Sequence, residues 1–311
     1  MKSIGLDVGY GWTKIVDEKG VRSYPSVVGS YEAGMAIEGF TDRLDDVETV
    51  EGQLFFVGDR AVRSSSMEFQ ARSRSWIESL PYRVLVSHAL RPYDQPEPLH
   101  VVTGLPVGYL DDRKSLTKLI RQIHRGVKHI SVLPQPLGSY MDLLLDEAGA
   151  TRNPALADQT VGILDIGYYT TDCLIVDRLQ PRTERMTGIE VGVSLVCQRL
   201  ERDLREKFRC SWRLHQLDAA LRSRSIKVRG TTHDIADLVS HRVKELTLTL
   251  QRYIEQLWQD ATVDQLLLTG GGAQLVEAGL GKEYPVLAVQ DPAIANARGY
   301  FKYGKQIQQV Q

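Results

Sequence analysis

The chain has 311 residues, of which 42% are hydrophobic and 25% are charged, and this balance is typical of a folded globular protein. Its formal net charge of −1 excludes a chain-wide attraction to nucleic acid or to an anionic membrane, so such a partner would need a local patch. The length suits two domains rather than one.

Three cysteines, Cys173, Cys197 and Cys210, are widely spaced, and no run of about 18 consecutive apolar residues occurs. An odd number of such cysteines does not make a disulfide framework or a zinc site. The first residues form a strand-like run without the charged and apolar regions of a signal peptide. We therefore expect a cytoplasmic protein with reduced thiols, without membrane insertion and without direct nucleic-acid binding.

The first predicted element is a β-hairpin, because residues 4–16 place two apolar runs around a short turn that contains glycine. Gly9 and Gly11 would let the turn present its backbone amides to an anion at close range. Lys14 would bring an ammonium group near a β-phosphate, and Asp7 would hold Mg²⁺ through water. Taken alone, the same residues also suit an ordinary hairpin turn.

Four elements are predicted next, at the spacings typical of short strands and amphipathic helices. They are a strand over 99–106, a helix over 111–125 capped by Asp111 or Asp112, a strand over 129–133 and a helix over 139–147. The stretch 148–160 has the Gly, Pro and Asn content of a surface connection, and we place the main domain boundary there.

A second hairpin is predicted over 162–176, and its sequence repeats the first. Asp165 corresponds to Asp7 and Gly167 to Gly9, while Thr170 adds a hydroxyl. An internal repeat at this distance indicates a duplicated domain.

Helices are predicted over 193–208, 234–258 and 291–305, and a buried strand over 265–269. The alternation of strands and helices favours an α/β fold. The strand runs into Gly270, Gly271 and Gly272, which would let the backbone lie flat against a ribose or adenine, with a helix beginning near Ala273. Alone, three glycines are also a tight strand-to-helix turn.

The first hairpin, the second hairpin and the three glycines, in this order, resemble the actin superfamily, which includes actin, sugar kinases and the heat-shock chaperone ATPases. Segments 103–106, 132–136, 188–196, 268–273 and 296–299 carry a narrower likeness to the ParM/StbA-type bacterial and archaeal actin-like proteins. The likeness spans nearly the whole chain.

The resemblance implies an α/β, actin-like (ribonuclease H-like) duplicated two-domain fold with a nucleotide in the interdomain cleft. Domain I would comprise residues 1–155 plus about 290–311, and domain II residues 156–289. The nucleotide would be ATP, with GTP as an alternative, and Mg²⁺ would be held through water by Asp7 and Asp165.

The resemblance also assigns site residues. Gln135 and Asp165 would be catalytic, and a glutamine amide orients a water but does not accept its proton, so we expect slow hydrolysis. Tyr168 and Tyr169 stand where the family has small residues, so their phenols would have to point away from the ligand or stack. The expected nucleotide-binding residues are Gly9, Tyr10, Gly11, Thr13, Lys14, Gly167, Tyr168, Thr170, Gly188, Lys207, Gly270, Gly271 and Gly272.

The implied function is a slow ATPase that self-associates into filaments, for plasmid or DNA segregation or for intracellular positioning, with a DNA-bound adaptor protein as partner. One alternative is a phosphotransferase, such as a small-molecule kinase or an exopolyphosphatase, with Asp172 as the candidate base. Another is a non-polymerising actin-like adaptor. The seven histidines lack metal-ligand spacing, and Ser64–66 and Arg72–Arg74 suit a solvated loop or a contact with nucleic acid or a neighbouring subunit.

Overall fold

The computed structural model describes residues 1–31, 46–64, 68–69, 76–93, 97–258 and 262–310. The serine- and arginine-rich positions 65–66 and 72–74 lie outside these residues. The chain divides into two compact units, one of Met1–Pro154 with Ile294–Gln311 and one of Ala155–Ala293. The first unit is therefore built from two separate segments of sequence.

Within the described residues, unit 1 combines two sheets with four α-helices from its first segment and one from its last. Its strands and helices within the described residues are β1 (Lys2–Val8), β2 (Trp12–Asp17), β3 (Gly20–Pro25), β4 (Val28–Ser30), β5 (Val47–Val50), β6 (Gln53–Val57), α1 (Asp59–Ser64), β7 (Glu68–Phe69), α2 (Leu80–Leu90), β8 (Leu99–Leu105), α3 (Arg113–Ile123), β9 (Val127–Pro134), α4 (Gln135–Leu144) and, from the last segment, α9 (Ala295–Val310).

The main sheet of unit 1 has the order β3-β2-β1-β8-β9, and a second sheet has the order β5-β6-β4-β7. In the main sheet β1 is antiparallel to β2 and parallel to β8, which is parallel to β9. Buried aliphatic residues of β1 and β8 pack against α2, which places the core on one face of this sheet.

Helix α9 packs closely on the other side of the same sheet. A methyl group at Gly5 would lie 2.0 Å from the Ala297 carbonyl oxygen, and one at Gly299 would lie 1.7 Å from the Gly138 carbonyl oxygen. Glycine is required at both positions because any side chain would collide with backbone. Arg298 and Lys302 of α9 also contact Asp142 of α4, at 2.6 and 2.8 Å.

Unit 2 contains the elements β10 (Thr160–Ile166), β11 (Thr171–Asp177), β12 (Gln180–Pro181), β13 (Thr187–Ile189), α5 (Val193–Phe208), α6 (Leu214–Ser223), β14 (Ser225–Val228), β15 (Thr231–Asp234), α7 (Ala236–Leu257), β16 (Gln265–Thr269), α8 (Ala273–Leu280) and β17 (Val286–Leu287). Its main sheet has the order β12-β11-β10-β16-β17, with β13 paired to β11.

The two main sheets repeat one topology. In each, an antiparallel hairpin supplies the central strand, and that strand is parallel to a later strand of the same unit. This repetition is the structural counterpart of the sequence repeat. It brings the first turn of each unit to the carboxyl end of its central strand.

Several predicted element bounds were wrong. The helix predicted over 139–147 is α4, which begins at Gln135 and ends at Leu144. It begins earlier than predicted because Pro136 occupies its first turn, where the proline ring favours helix initiation. The helix predicted from 111 begins at Arg113, and the Asp112 side chain makes no capping hydrogen bond. The predicted connection over 148–160 contains a short 3-10 helix, Pro154–Asp158.

Cys173 and Cys197 are buried free thiols, and Cys210 is a half-buried free thiol. Burial raises the pKa of Cys197 to about 12. Within the part of the chain that the structure describes, no helix combines the length and the apolar character that a membrane-spanning segment requires.

Candidate functional site

The first turn of each unit is built in the same way. The Gly9 N–H donates to the Trp12 carbonyl oxygen at 3.1 Å, and the Gly167 N–H donates to the Thr170 carbonyl oxygen at 2.8 Å. Each bond closes a tight hairpin with two residues at its tip. Glycine suits both positions, because a methyl group at Gly167 would lie 2.9 Å from the Thr170 carbonyl oxygen.

In unit 1 the hairpin carries a carboxylate and an ammonium group side by side. Asp7 and Lys14 are cross-strand partners, and the Lys14 ammonium donates to Asp7 Oδ2 at 2.8 Å. The Gln135 side-chain amide donates to the other Asp7 oxygen at 3.3 Å. Asp7 is only 3% exposed, so these contacts supply the partners that a buried carboxylate needs. The structure thus brings together Asp7, Lys14 and Gln135.

Gln135 contacts residues of α9 and β8 that fix its position. The Tyr300 hydroxyl donates to the Gln135 carbonyl oxygen at 3.3 Å. Gly104 at the end of β8 leaves room for both residues, because a methyl group there would lie 1.9 Å from the Tyr300 hydroxyl oxygen and 3.1 Å from Gln135 Cγ. The position of Gln135 is therefore fixed by the first turn of α4 and by two neighbouring elements.

The structure does not present the Thr13 side chain to a ligand. Its hydroxyl bonds to the Ser26 hydroxyl at 2.9 Å, and the residue is fully buried. Successive residues of a strand point to opposite faces, so Thr13 lies on the face opposite to Lys14. Its predicted role in nucleotide binding is thereby reduced to that of its backbone.

The two bulky side chains of the first turn, Tyr10 and Trp12, lie in different environments. The Tyr10 ring stacks on Trp76, with 5.4 Å between the ring centroids, and therefore faces the core. Trp12 is 45% exposed. Between them, the Gly11 carbonyl oxygen accepts a hydrogen bond from the Ser26 N–H at 2.9 Å, which ties the turn to the residues after β3.

In unit 2 the corresponding cross-strand partners are Asp165 and Asp172, which are 6% and 2% exposed. Unit 1 has an ammonium group where unit 2 has this second carboxylate. Burial, together with the negative charges of Asp172 and Asp165, raises the pKa of the neighbouring Cys173 thiol. The resemblance assigned Asp165 to metal binding and catalysis and left Asp172 as the candidate base of a phosphotransferase, and the structure places the two as cross-strand partners.

The second turn is anchored by the start of α5. The Val193 N–H donates to the Gly167 carbonyl oxygen at 3.2 Å, and the Ser194 N–H donates to the Tyr168 carbonyl oxygen at 2.7 Å. A methyl group at Gly192 would lie 2.7 Å from both of these acceptors. Gly192 is therefore a supporting residue of the site that sequence reasoning missed, although it stands directly before the predicted helix.

The two tyrosines at the tip of the second turn are held away from its backbone. Tyr168 packs against the unit 2 core and its side chain hydrogen-bonds to Cys197. The Tyr169 hydroxyl donates to Glu190 Oε2 at 3.2 Å. The phenols therefore have partners of their own, and the turn keeps the backbone geometry of its counterpart in unit 1 despite the larger side chains.

The glycine turn after β16 packs against the second hairpin. Gly270 has a φ of 83°, in the region that favours glycine, and a methyl group there would lie 2.4 Å from Asp165 Oδ1. The Gly272 N–H donates to the Ile166 carbonyl oxygen at 2.9 Å. A methyl group at Gly271 would meet only Arg222, at 4.0 Å. The turn therefore has a closed side and an open side, which suits a flat ligand group.

Arg222 of α6 lies at this glycine turn, whereas Lys207, which was predicted to bind the nucleotide, does not. The Arg222 guanidinium donates to the Gly271 carbonyl oxygen at 3.4 Å and to Asp218 at 3.0 Å. Lys207 lies near the far end of α5, about 21 Å along the helix from Val193, with its ammonium 5.3 Å from the Phe208 ring. Gly188 is paired with Asp172 in β13 and lies beside the second hairpin.

Among the described residues, no group of three or more His, Cys, Asp or Glu side chains forms a ready-made metal cage. Mg²⁺ does not need one, because it commonly keeps several waters and binds through one or two carboxylates and the phosphates of a nucleotide. The hard oxygen donors of Asp7 and Asp165 fit that chemistry, each at the end of a central strand.

Comparison with known proteins places these features in a family. Residues 5–138 match the model of the N-terminal domain of actin-like proteins, and residues 163–282 match the C-terminal model of the MreB-like archaeal actin homologue. An archaeal actin homolog from Thermoplasma volcanium is 25% identical over 96% of this chain and 98% of its own.

Two solved structures are similar over almost their whole length. One is a 15-stranded ParM filament from Clostridium botulinum, with a TM-score of 0.81 and 20% identity over 98% of this chain and 99% of that one. The other is an archaeal actin homolog in complex with ADP, with a TM-score of 0.78 and 19% identity over all of both chains. The protein has the two-domain actin-like α/β fold. The chain belongs to the actin superfamily, among its bacterial and archaeal members.

Proposed function

We propose that this chain is a slow ATPase that assembles into filaments in a nucleotide-dependent way. The observation that carries the proposal is the pair of matching hairpins, each with a tight glycine turn and a buried aspartate at the end of its central strand. Similarity to a ParM filament and to an archaeal actin homolog bound to ADP supports it.

The residues of unit 1 suit the phosphate end of ATP. Lys14 would give up part of its contact with Asp7 to serve as a point charge for a phosphate, and the turn amides would donate to phosphate oxygens. Asp7 and Asp165 would each hold a water of hydrated Mg²⁺. That ion, when bound, neutralises phosphate charge.

Gln135 is the candidate for orienting the water that attacks the terminal phosphate. Its amide nitrogen is engaged with Asp7, which leaves its side-chain oxygen to accept a hydrogen bond from a water. A neutral amide orients the water without taking its proton, so the step would be slow. Slow hydrolysis suits a timer on assembly better than a metabolic turnover.

Head-to-tail contacts between copies would make an open filament, because a heterologous interface propagates unless its rotation closes a ring. Loss of the terminal phosphate would weaken the contacts that favour assembly. Segregation of plasmid DNA or positioning of another cargo through an adaptor protein is the cellular role that we propose for such a filament.

Sedimentation and light scattering with ATP, GTP, ADP or no nucleotide, each with Mg²⁺, test the proposal. We expect assembly with ATP or GTP and disassembly as phosphate is released. Asp165→Asn should still assemble but should disassemble far more slowly. Failure to assemble with any nucleotide across a range of salt concentrations would contradict the filament proposal.

A phosphotransferase is the second candidate, since Asp172 places another buried carboxylate directly beside Asp165. A kinase needs such a group as a base for the acceptor hydroxyl. Release of inorganic phosphate from ATP in the absence of any acceptor, at a rate that sugars and polyols do not change, would reject this candidate.

A further inference from the structure

Unit 1 carries a groove between helix α3 and strand β9, with a volume of about 590 Å³. We call it the basic groove. Its helix side includes Arg113, Lys114, Lys118 and Arg121, and its strand side is formed by Ile130 and Val132. None of these residues belongs to the hairpins, to the glycine turn or to the surroundings of Gln135.

The charge of the basic groove is local and unbalanced. The chain as a whole has 38 basic and 39 acidic residues, yet the described residues that line the groove include four cations and no carboxylate. Lys114, Lys118 and Arg121 are exposed and, within the described part of the chain, form no ion pair. Three unpaired cations on one helix face, in a groove whose described lining includes no carboxylate, indicate an anionic partner.

Helical spacing explains how one short element provides both a core face and this charged face. Lys114, Lys118 and Arg121 recur at intervals of four and three residues, whereas Leu116 and Ile120 of the same helix are buried. The helix thus covers the sheet with aliphatic side chains and turns its cations toward β9. The exposed cations are not needed for the packing of the helix.

Strand β9 supplies the other half of the inference. It is the last strand in the order β3-β2-β1-β8-β9, and within the described residues it pairs only with β8. An edge strand presents unpaired N–H and C=O groups that another extended chain can bond to. Ile130 and Val132 are half-buried and two positions apart, so they lie on the same face and offer an apolar floor.

We propose that the basic groove binds an extended acidic segment of a partner protein, which adds to the sheet beside β9. Its carboxylates would meet the cations of α3, and its apolar side chains would lie over Ile130 and Val132. The described lining residues include no aromatic ring on which a nucleic-acid base would stack, and two of them are aliphatic. These features favour a peptide over single-stranded nucleic acid.

This proposal goes beyond the nucleotide chemistry, because all of its residues lie in unit 1 and outside the candidate site. It can therefore hold even if the protein does not polymerise. It also assigns a chemical character, acidic with alternating apolar residues, to the partner that would link the protein to a cargo.

The test uses a fluorescein-labelled peptide of ten residues that alternates glutamate and valine, with fluorescence anisotropy as the readout. The full chain is titrated without nucleotide, so filament assembly does not contribute. A lysine–valine peptide of the same pattern and a 20-residue oligo-dT serve as comparison ligands. A glutamate–valine peptide with N-methylated amides at alternate positions tests the backbone pairing, because methylation removes donors without changing charge.

Two charge-matched double variants locate the binding. Lys118→Glu with Arg121→Glu reverses the groove, and Lys227→Glu with Lys282→Glu applies the same change in charge to two exposed lysines of unit 2. We expect the groove variant to weaken peptide binding at least about tenfold and the matched control to change it less than about twofold. Since all four positions are exposed, both variants should keep the wild-type melting temperature.

We expect the acidic peptide to bind the wild-type chain, the lysine–valine peptide not to bind, and the N-methylated peptide to bind at least about fivefold more weakly. The proposal would be overturned by no binding of the acidic peptide, or by equal losses in the two double variants. Equal affinity for the N-methylated and the unmethylated glutamate–valine peptides would overturn the proposal that the peptide adds to the sheet beside β9. Tighter binding of oligo-dT at the same groove would replace the peptide with a nucleic acid.

Discussion

The two hairpins have one backbone design and two different chemistries. In both, a glycine N–H closes the turn onto a carbonyl oxygen three residues later, and an aspartate is the penultimate residue of the central strand. Opposite that aspartate, however, unit 1 has Lys14 and unit 2 has Asp172. The backbone frame is thus shared, while one cross-strand position sets whether an ammonium group or a second carboxylate lies beside the aspartate.

The supports of the two turns differ as well. The first is tied to the segment after β3 by the Ser26 N–H, and the second rests on the first amides of α5 and on the glycine turn. Asp165 therefore lies against Gly270, whereas Asp7 lies against Lys14 and Gln135. This difference predicts that substitutions at equivalent positions will have unequal consequences.

The largest expected effect separates the two carboxylates of unit 2. Asp165→Asn should lower phosphate release from ATP by at least about 100-fold, because the substitution removes the charge that would hold hydrated Mg²⁺. Asp172→Asn should lower it by about tenfold or less, since its counterpart in unit 1 is a lysine. Phosphate release measured under saturating ATP, with melting temperatures as the folding control, distinguishes them. Equal losses would show that both carboxylates serve the same role.

The next effect concerns the glycine turn of unit 2. Gly270→Ala should destabilise the protein by at least about 2 kcal/mol, because a side chain at its φ is strained and its methyl group would collide with Asp165. Gly271→Ala is the matched control, and its methyl group would meet only Arg222 at 4.0 Å, so about 0.5 kcal/mol or less is expected. Urea denaturation of both variants measures the difference. Comparable destabilisation would contradict the packing described for this turn.

An intermediate effect tests the cation of the first hairpin. Lys14→Gln should weaken ADP binding by about tenfold, because a charge-assisted contact with phosphate is lost. Lys19→Gln, at an exposed position in the turn after β2, should leave the affinity unchanged. Isothermal titration calorimetry with ADP and Mg²⁺ measures both. If the two variants bind ADP equally well, the affinity for ADP does not depend on a contact between Lys14 and phosphate.

The smallest effect concerns the tip of the second hairpin. Tyr169→Phe removes one exposed hydrogen bond, from the phenol to Glu190, and should cost about 0.5 kcal/mol or less in stability. Affinity for ADP should not change, because the phenol points away from the turn. A clear loss of affinity in the same calorimetric assay would mean that Tyr169 contacts the nucleotide directly.

Local patterns predicted the elements that carry the site. The repeat of apolar runs around Asp-x-Gly located both hairpins, and Leu266–Leu268 followed by glycines located β16 and its turn. These features depend on short-range rules of strand alternation and turn chemistry. The alternation of these elements favoured an α/β fold, and the actin-like arrangement was implied by their resemblance to the actin superfamily.

Contacts between distant residues could not be predicted in the same way. Arg222 reaches the carbonyl oxygen of Gly271 across 49 positions of sequence, so no local pattern marks it. The family resemblance indicates Lys207 instead, but its side chain contacts Phe208. Strand alternation alone predicts that Thr13 and Lys14 point to opposite faces. The hydrogen bond between the buried Thr13 hydroxyl and Ser26 agrees with that prediction.

Helix α9 completes unit 1 although the whole of unit 2 lies between them in the sequence. During synthesis, unit 2 emerges before the helix that Gly5, Gly138 and Gly104 are shaped to receive. One face of the main sheet of unit 1 therefore stays uncovered until all of unit 2 has been synthesised. Residues 1–154 alone would expose that face, so a fragment meant to represent this domain needs the last helix supplied through a linker or in trans.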